Sequence, residues 1–321
     1  MIQMTVIVLR KVDMMNKNVL VIGDLIIDKT YYVQVKRISP EAPVPTAELL
    51  EECPHISPGG AGFAAAFSSA QGNKTILCSS MPNKTASHLS YKYNISVLLV
   101  ENISNNIIKT RFIDKESGYH MIRLDNDLLI KNIEITPDKV LSSIEPIIKG
   151  NSVDVCLLAD YKKGFFNTNC RWHELIDYLS YNNIPTLLDT RMENIRHFMD
   201  NNKALNKNLW LKLNKKEAEL VKYNLYGENS SWDMSKTPRL LITQGSQGLT
   251  MISEKGCAII EVPIECSKGG APDTTGCGDI FDISFLEGII QFKDAKEAAK
   301  YAVKTASKYA WIPFKEKLCL A

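Results

Sequence analysis

The sequence has no hydrophobic run of membrane-spanning length and no long block of like charge. A transmembrane helix needs about 20 consecutive apolar residues, so we expect no membrane insertion. Basic and acidic residues nearly balance, at 38 and 36, and the formal net charge is +2. Because the basic residues are scattered along the chain, the sequence also lacks the positive patch of a nucleic-acid-binding protein.

Metal-binding cysteine patterns are absent as well. The chain contains eight cysteines but no C-x-x-C pair and no zinc-type spacing. We interpret these cysteines as free thiols of a cytoplasmic protein, because disulfides are rare in that compartment.

The length of the chain is sufficient for a large core. Its 321 residues, of which 45% are hydrophobic, can form one sizeable domain. We expect that domain at residues 17–321. An N-terminal extension at 1–16 precedes it, and the apolar stretch of this extension is too short to span a bilayer.

Short apolar runs that end in glycine or in a polar residue recur along the chain, as at residues 19–24, 153–160 and 185–191. Such runs are typical of strands that are buried on both faces of a parallel sheet. A helical stretch at 170–181 lies between two of them. This alternation predicts an α/β fold, in which a doubly wound, mostly parallel sheet carries helices on both faces.

Two further segments have a different pattern. Residues 30–51 alternate polar and apolar side chains and are interrupted by Pro40, Pro43 and Pro45, so this part is extended rather than a core helix. Residues 108–125 alternate around a Glu-Ser-Gly turn, which predicts a β-hairpin.

The most informative stretch is Gly-Gly-Ala-Pro-Asp-Thr-Thr-Gly-Cys-Gly-Asp-Ile-Phe at residues 269–281, which leads into an apolar helix. Gly276, Cys277 and Gly278 are predicted at the first helical turn, where N–H groups lack helical partners and attract anions. Asp279 adds a carboxylate beside them. Taken alone, this carboxylate is either an acid favoured by the helix dipole or the proton acceptor of a phosphoryl-transfer site.

The nine residues from Asp-Thr-Thr to Asp-Ile-Phe closely resemble the C-terminal signature of the ribokinase-like (PfkB) carbohydrate kinases. The resemblance implies ATP and Mg²⁺ as cofactors and Asp279 as the catalytic base. It also implies that the amides of Gly276, Cys277 and Gly278 form the anion hole for the γ-phosphate. Cys277 stands where the family usually has alanine. By the same resemblance, the segments near 30–51 and 108–125 form a small β-sheet lid over the sugar.

The N-terminal part resembles a narrower group. Gly-Asp-Leu-Ile-Ile-Asp-Lys-Thr, followed by Arg-Ile-Ser-Pro-Glu-Ala-Pro-Val-Pro, is similar to the start of the bacterial D-glycero-β-D-manno-heptose 7-phosphate kinases, which serve ADP-heptose and lipopolysaccharide synthesis. This implies that Asp28 binds sugar hydroxyls. Gly59 and Gly60, predicted at the start of a small-residue helix, let the backbone approach the sugar or simply allow close packing. Phe63 departs from the family pattern, which has a substrate-binding asparagine there.

Two basic side chains are candidates for binding the phosphate of a phosphosugar. The Asp-Tyr-Lys-Lys-Gly sequence that closes the strand at 153–160 resembles the family's Asp-Tyr-x-Lys-Gly, which implies this role for Lys163. The alternative is a solvated turn lysine, with Lys162 as an equal competitor. Arg123, in an Ile-Arg-Leu-Asp strand that again resembles the heptose kinases, either faces the phosphate or pairs with Asp125.

Nucleotide-binding candidates lie in the C-terminal half. Asn214 and Glu217 have the spacing of a helix capping box. They also resemble the family's Asn-x-x-Glu motif, which implies nucleotide binding and a water-mediated contact of Glu217 with Mg²⁺. The resemblance assigns Thr243, Gly245 and Gly248 to the ATP phosphates and ribose, although a plain hairpin needs the same glycines.

Together these resemblances imply an ATP-dependent kinase for a hydroxyl of a phosphosugar. We favour the anomeric O1 of heptose 7-phosphate. A ribokinase-like kinase for another sugar or nucleoside is the alternative, and a non-catalytic sugar-binding regulator is the alternative from another class. We expect a homodimer that pairs through the exposed edges of the lid, and the use of a monovalent cation stays open.

Overall fold

The structure is a computed structural model that describes residues 16–126, 135–166, 170–190, 195–198, 208–227, 232, 238–261 and 273–320. The predicted N-terminal extension lies outside the described residues except for its last position. The Gly-Gly-Ala-Pro run at 269–272 also lies outside them.

Strands and helices alternate along the described chain. The strands are β1 (Asn18–Gly23), β2 (Leu25–Ile38), β3 (Pro45–Leu49), β4 (His55–Gly60), β5 (Lys74–Met81), β6 (Ser96–Asn102), β7 (Ile108–Asp114), β8 (His120–Asn126), β9 (Val155–Ala159), β10 (Thr186–Asp189), β11 (Leu209–Asn214), β12 (Arg239–Thr243), β13 (Leu249–Ser253) and β14 (Gly256–Ile260). The helices are α1 (Ala61–Ala70), α2 (Asn83–Tyr93), α3 (Pro137–Lys149), α4 (His173–Tyr181), α5 (Ile195–Phe198), α6 (Lys215–Tyr226), α7 (Cys277–Phe292), α8 (Ala295–Tyr309) and α9 (Phe314–Leu320).

The larger sheet has the strand order β14-β13-β12-β11-β10-β9-β1-β5-β6 within the described residues. Neighbouring strands from β6 through β12 are parallel, and the β12-β13-β14 end is antiparallel. One core cluster packs α1, α7 and α8 against the sheet, and a second packs α3 and α4 against it. Because helices cover both faces, strands such as β1 are almost entirely apolar. The predicted doubly wound α/β fold is confirmed.

A smaller sheet has the order β3-β2-β7-β8, and β4 also pairs with β2. Strand β2 is 14 residues long and changes partners along its length. Its residues 25–30 pair with β4, and its residues 33–38 pair with β3. This sheet contains both segments that the sequence assigned to the lid. Strands β3 and β8, which form its two edges, are largely exposed.

Helices α7 and α8 approach each other closely at Gly288. An added Cβ at Gly288 would lie 2.7 Å from the Cα of Ala298, so only glycine permits this approach. Residues 279–288 of α7 are buried in an unbroken run. Within the described ranges, no helix combines the length and apolar character needed to cross a membrane.

Candidate active site

The polar candidates collect along one edge of the larger sheet. Asp24 follows β1 and Tyr161 follows β9, while Asp189, Asn214 and Thr243 end β10, β11 and β12. Parallel strands end at the same edge, and open α/β sheets bind their ligands there. The first turn of α7 reaches this edge through hydrogen bonds from Tyr161 of the β9 loop and from β11.

Helix α7 begins as predicted, but its first amides are not all available. Gly276, the residue before the helix, has φ 75°, a left-handed conformation that favours glycine. The N–H of Cys277 donates to the carbonyl of Thr274 at 3.1 Å. The expectation that this amide is unpaired is therefore wrong, because the turn closes on itself. Gly278 and Asp279 follow in the first helical turn, whose N–H groups have no carbonyl four residues back within the helix.

Asp279 is buried, and the pKa of its carboxyl is far from the usual value of an aspartate. Burial raises the pKa of its carboxyl to about 7, although a hydrogen bond donated by the Tyr161 hydroxyl and the charge of Lys212 oppose that rise. Asp189 and Asp28 add smaller contributions that raise the pKa further. A carboxyl with a pKa near the operating pH is suited to accept a proton from an alcohol.

The carboxylate of Asp24 binds the backbone of the loop that contains Tyr161 and Lys163. It accepts hydrogen bonds from the backbone N–H groups of Tyr161 at 2.8 Å, Lys163 at 3.1 Å and Phe165 at 2.9 Å. Burial and the charge of Asp160 raise the pKa of Asp24 to about 7, and the three amides oppose this rise. These bonds hold the loop to the end of β1, so Tyr161 and Lys163 are supported by the main sheet.

Asp28 lies on β2 with its carboxylate against the backbone of β4. A Cβ at Gly59 would lie 2.1 Å from Asp28 Oδ2, and a Cβ at Gly60 would lie 2.7 Å from the carbonyl oxygen of Asp24. Both glycines end β4, and Gly60 is also the N-cap of α1, so the predicted helix start is confirmed. Their pairing with β2, which the sequence did not indicate, brings their backbone beside Asp28.

A cluster of basic side chains faces Asp28. Arg111 forms an ion pair with the Asp28 carboxylate. Lys109 is the register partner of Asp28 on β7, and its Nζ lies 5.9 Å from the centre of the Tyr161 ring. Burial lowers the pKa of Lys109, an effect that the charge of Asp28 opposes and that of Lys163 reinforces. Lys109, Arg111 and Lys163 therefore concentrate positive charge beside Asp28.

Lys109 and Arg111 were not among the site residues predicted from the sequence. Their spacing of two residues places them on the same face of β7, which alternation could have indicated. Arg123 forms two hydrogen bonds of 2.9 Å with Asp125, and its side chain is 56% exposed. Of the two alternatives for Arg123, the structure therefore has the pair with Asp125. The backbone of Lys162 has φ 56° and its N–H donates to Asp160, which makes it a turn residue.

Lys212 is a third residue that was not predicted from the sequence. Its buried Nζ contacts Asp189 Oδ2 at 2.8 Å, Asp282 Oδ2 at 2.6 Å and the carbonyl of Gly278 at 3.2 Å. Burial alone would lower the pKa of Lys212, but the charges of Asp189 and Asp282 outweigh it and raise the pKa. A lysine within the apolar strand Leu-Trp-Leu-Lys-Leu was the available signal. Lys212 ties β11 to the first turn of α7.

The nucleotide candidates follow β11 and β12. The backbone N–H of Asn214 donates to Glu217 at 2.8 Å, and the N–H of Glu217 donates to Asn214 Oδ1 at 2.9 Å, so the capping box is confirmed. Thr243 pairs with Asn214 across the two strands, which brings the two groups together. Gly245 opens a short 3-10 turn, and a Cβ at Gly248 would lie 2.1 Å from the carbonyl of Ile260. Both glycines thus meet the needs of the local turn.

Direct metal ligands do not form a cluster in the described part of the chain. No group of three or more His, Cys, Asp or Glu side chains is placed there to hold a metal ion. Asp189 and Asp282 are occupied by Lys212. The partly exposed Glu217 fits a Mg²⁺ ion that keeps most of its waters.

The side chain of Phe63 is buried beside Gly276 and Phe314. Its ring is buried, lies 4.9 Å from the ring of Phe314 in α9, and would be 2.7 Å from a Cβ at Gly276. The position at which the family has asparagine is therefore part of the apolar support beneath the loop at 273–279. Replacement by phenylalanine at this position adds packing there.

Comparison with known proteins gives a consistent picture. Residues 169–310 match the model of the pfkB family carbohydrate kinases. Bifunctional protein HldE of Bradyrhizobium diazoefficiens is 26% identical over 298 residues, which are 91% of this chain and 59% of that protein. Bifunctional protein HldE of Acidiphilium cryptum is 36% identical over 163 residues, which are 46% of this chain and 30% of that protein. The chain thus spans less than two thirds of the length of these relatives.

Solved structures share the fold. Phosphofructokinase-2 from Escherichia coli, solved in complex with potassium, superposes with a TM-score of 0.65 at 15% identity and covers 92% of this chain and 93% of its own. Ribokinase from Thermotoga maritima superposes with a TM-score of 0.61 at 16% identity and covers 94% of this chain and 97% of its own. At these identities, the likeness shows a ribokinase-like fold.

Proposed function

We propose that Asp279 is the base of an ATP-dependent sugar kinase. The match of residues 169–310 to the pfkB family carbohydrate kinases supports a phosphotransferase that has an alcohol group as acceptor. The observation that carries this proposal is the buried Asp279 carboxyl, with a pKa of about 7, in the first turn of α7. A carboxylate there takes the proton of the attacking hydroxyl. The adjoining amides of Gly276 and Gly278 stabilise negative charge on the transferred phosphoryl group.

Asp28 and the backbone at Gly59 and Gly60 hold the sugar hydroxyls in this proposal. Asp28 is kept in place by Arg111, and no side chain at Gly59 intervenes between its carboxylate and the β4 backbone. Fixed polar groups of this kind keep the acceptor hydroxyl close to the base, which is a major source of rate enhancement.

The basic cluster supports a phosphosugar rather than a neutral sugar. Arg111 forms an ion pair with Asp28, and the charges of Lys163 and Arg111 act on Lys109, as do those of Asp28 and Asp125. Cationic side chains gathered in this way are suited to bind the phosphate of a phosphosugar. With the N-terminal resemblance, this favours heptose 7-phosphate as the acceptor and its anomeric O1 as the site of transfer.

On the nucleotide side, we propose that Thr243, Gly245 and Gly248 line the ATP phosphates and ribose. Asn214 and Glu217 complete this side, and Glu217 holds Mg²⁺ through water. Mg²⁺ would supply charge neutralisation of the phosphates when bound.

Two copies of the chain pair through the lid, whose exposed apolar side chains include Ile38, Leu49, Ile122 and Leu124. Sedimentation of the protein at micromolar concentration tests this pairing.

The function is tested with Asp279→Asn. The change keeps the size of the side chain and removes the base, so we expect kcat for ADP formation with heptose 7-phosphate to fall by about 10²- to 10⁴-fold. The matched control is Asp138→Asn, which removes an exposed first-turn carboxylate from α3. Undiminished turnover by Asp279→Asn would refute the assignment of the base.

A substrate panel separates the alternatives. Turnover of an unphosphorylated sugar or a nucleoside in preference to heptose 7-phosphate would favour another ribokinase-like kinase. Binding of sugar by calorimetry without any ADP formation would favour a sugar-binding regulator. Lys109→Met and Lys163→Met refine the test, because a phosphate-binding role requires them to raise KM for a phosphosugar while leaving KM for ATP unchanged.

A further inference from the structure

A fully buried lysine from the C-terminal helix lies behind the loop at 273–279. Lys317 of α9 has 0% exposed surface. Its Nζ donates to the carbonyl oxygens of Asp273 at 2.9 Å and Thr275 at 2.7 Å, and it lies 3.5 Å from Cys277 Sγ. Lys317 belongs to none of the sequence motifs described above, and it is 42 positions away from Thr275.

The same helix holds the loop through independent contacts. The backbone N–H of Phe314 donates to Asp273 Oδ2 at 2.8 Å, while the other oxygen, Oδ1, accepts from the N–H of Thr275 at 2.9 Å. The Phe314 ring would lie 3.0 Å from a Cβ at Gly276. Helix α9 therefore contacts the loop at Asp273, Thr275, Gly276 and Cys277, and Lys317 contacts three of these four residues.

The contact with Thr275 has a consequence for the neighbouring amide. The carbonyl of Thr275 and the N–H of Gly276 belong to one planar peptide group, and in the trans form they point in opposite directions. Since the Thr275 carbonyl points at Lys317, the Gly276 N–H points away from α9. Lys317 thereby fixes the direction of one amide of the proposed anion hole.

The bonding pattern of this ammonium group resembles that of a bound monovalent cation. Main-chain carbonyl oxygens are the usual ligands of such ions in proteins, and a buried charge is tolerated only when its donors are satisfied. A cation fixed behind the loop also adds positive potential where phosphate oxygens are to be stabilised. These carbonyls are already bonded to Lys317, so they are not open to an exchangeable ion.

We propose that Lys317 is a positioning residue that acts as a built-in monovalent cation for the anion loop, so that the enzyme needs no added potassium or ammonium. The inference rests on the proposed kinase function and deepens it. The lysine orients the Gly276 amide and supports the loop electrostatically, while the chemistry of proton transfer stays with Asp279.

The test uses the purified full chain and three variants in chloride salts of choline, sodium, potassium and ammonium at constant ionic strength. We expect the unmodified protein to keep kcat within about twofold across the salts. Lys317→Ala opens a cation-sized space, so its kcat falls at least tenfold in choline and recovers several-fold in ammonium or potassium. Lys317→Met fills that space with an apolar chain, so its kcat falls and no salt restores it. Lys304→Ala, an exposed lysine of α8, is the matched control and behaves as the unmodified protein.

Thermal unfolding in the same salts provides a readout besides activity. Ammonium or potassium is expected to raise Tm of Lys317→Ala relative to choline, and to leave Tm of Lys317→Met unchanged. Dependence of the unmodified protein on potassium would overturn the proposal, as would a Lys317→Ala variant whose kcat and Tm ignore the cation. If the unmodified protein has no kinase activity, the proposed function fails, and the Tm comparison still decides whether Lys317 occupies a cation site.

Discussion

The hydrogen bond from Tyr161 to Asp279 makes a quantitative prediction for Tyr161→Phe. The change removes only the hydroxyl and keeps the ring that lies beside Gly60 and Lys109. A hydrogen bond to a charged group contributes about 1.5–3 kcal/mol, and 1.36 kcal/mol corresponds to one pH unit. Loss of the bond disfavours the charged form of Asp279, so its pKa should rise from about 7 by about one to two units. The acid limb of the pH profile, which reports this pKa, should shift to higher pH by the same amount.

The assay is kcat/KM for the sugar between pH 5.5 and 9.5, because this parameter reports groups of the free enzyme. At pH 7 we expect Tyr161→Phe to lose on the order of tenfold in kcat/KM, and the loss should largely disappear near pH 9. Tyr181→Phe is the matched control, since it removes a phenol hydroxyl from an exposed side chain. An unchanged acid limb in Tyr161→Phe, or a loss that persists at every pH, would refute the reasoning about this bond.

Three further predictions concern stability and binding. The pKa of Asp279 is raised in the folded state, so between about pH 4 and 7 the folded protein keeps a proton that the unfolded chain has lost. The free energy of unfolding therefore falls as the pH rises through this range. Asp279→Asn should therefore gain free energy of unfolding relative to the unmodified protein, by up to a few kcal/mol at pH 8 and little at pH 4 in urea titrations; equal differences at both pH values would contradict this. Gly59→Ala should displace Asp28 and lower kcat/KM for the sugar by about 10²-fold with KM for ATP preserved, whereas Gly150→Ala, where an added Cβ has ordinary room, should be neutral. Lys212→Met leaves the buried carboxylate of Asp282 and the partly buried carboxylate of Asp189 without their cation, and it should lower the free energy of unfolding by about 3–5 kcal/mol; a loss below about 1 kcal/mol would contradict this expectation.

The fold and the local motifs could be predicted because their signals lie within a few residues. Apolar runs indicated the buried strands, and the capping box at Asn214 and Glu217 follows from a spacing of three. Local spacing did not show how the glycines at 59 and 60 are used. They precede the predicted helix and also end a strand, and only the pairing of β4 with β2 shows the second role.

The contacts that complete the candidate site could not be predicted in this way. Tyr161 meets Asp279 across 118 residues, Lys212 meets Gly278 across 66, and Lys317 meets Thr275 across 42. Each pair depends on how distant elements pack, and no sequence period reports that. A charged residue in an otherwise apolar element is the one general hint, since such a group is buried only with partners.

Strand β2 joins two regions that have different freedom to change. Its inner half carries Asp28 and is fastened to β4, while its outer half bends into the exposed sheet beside β3. The last residues of the outer half are exposed, so a substitution there meets solvent, whereas a substitution beside Asp28 meets the backbone of β4. We therefore expect sequence changes to accumulate in the outer half of this strand sooner than in its inner half.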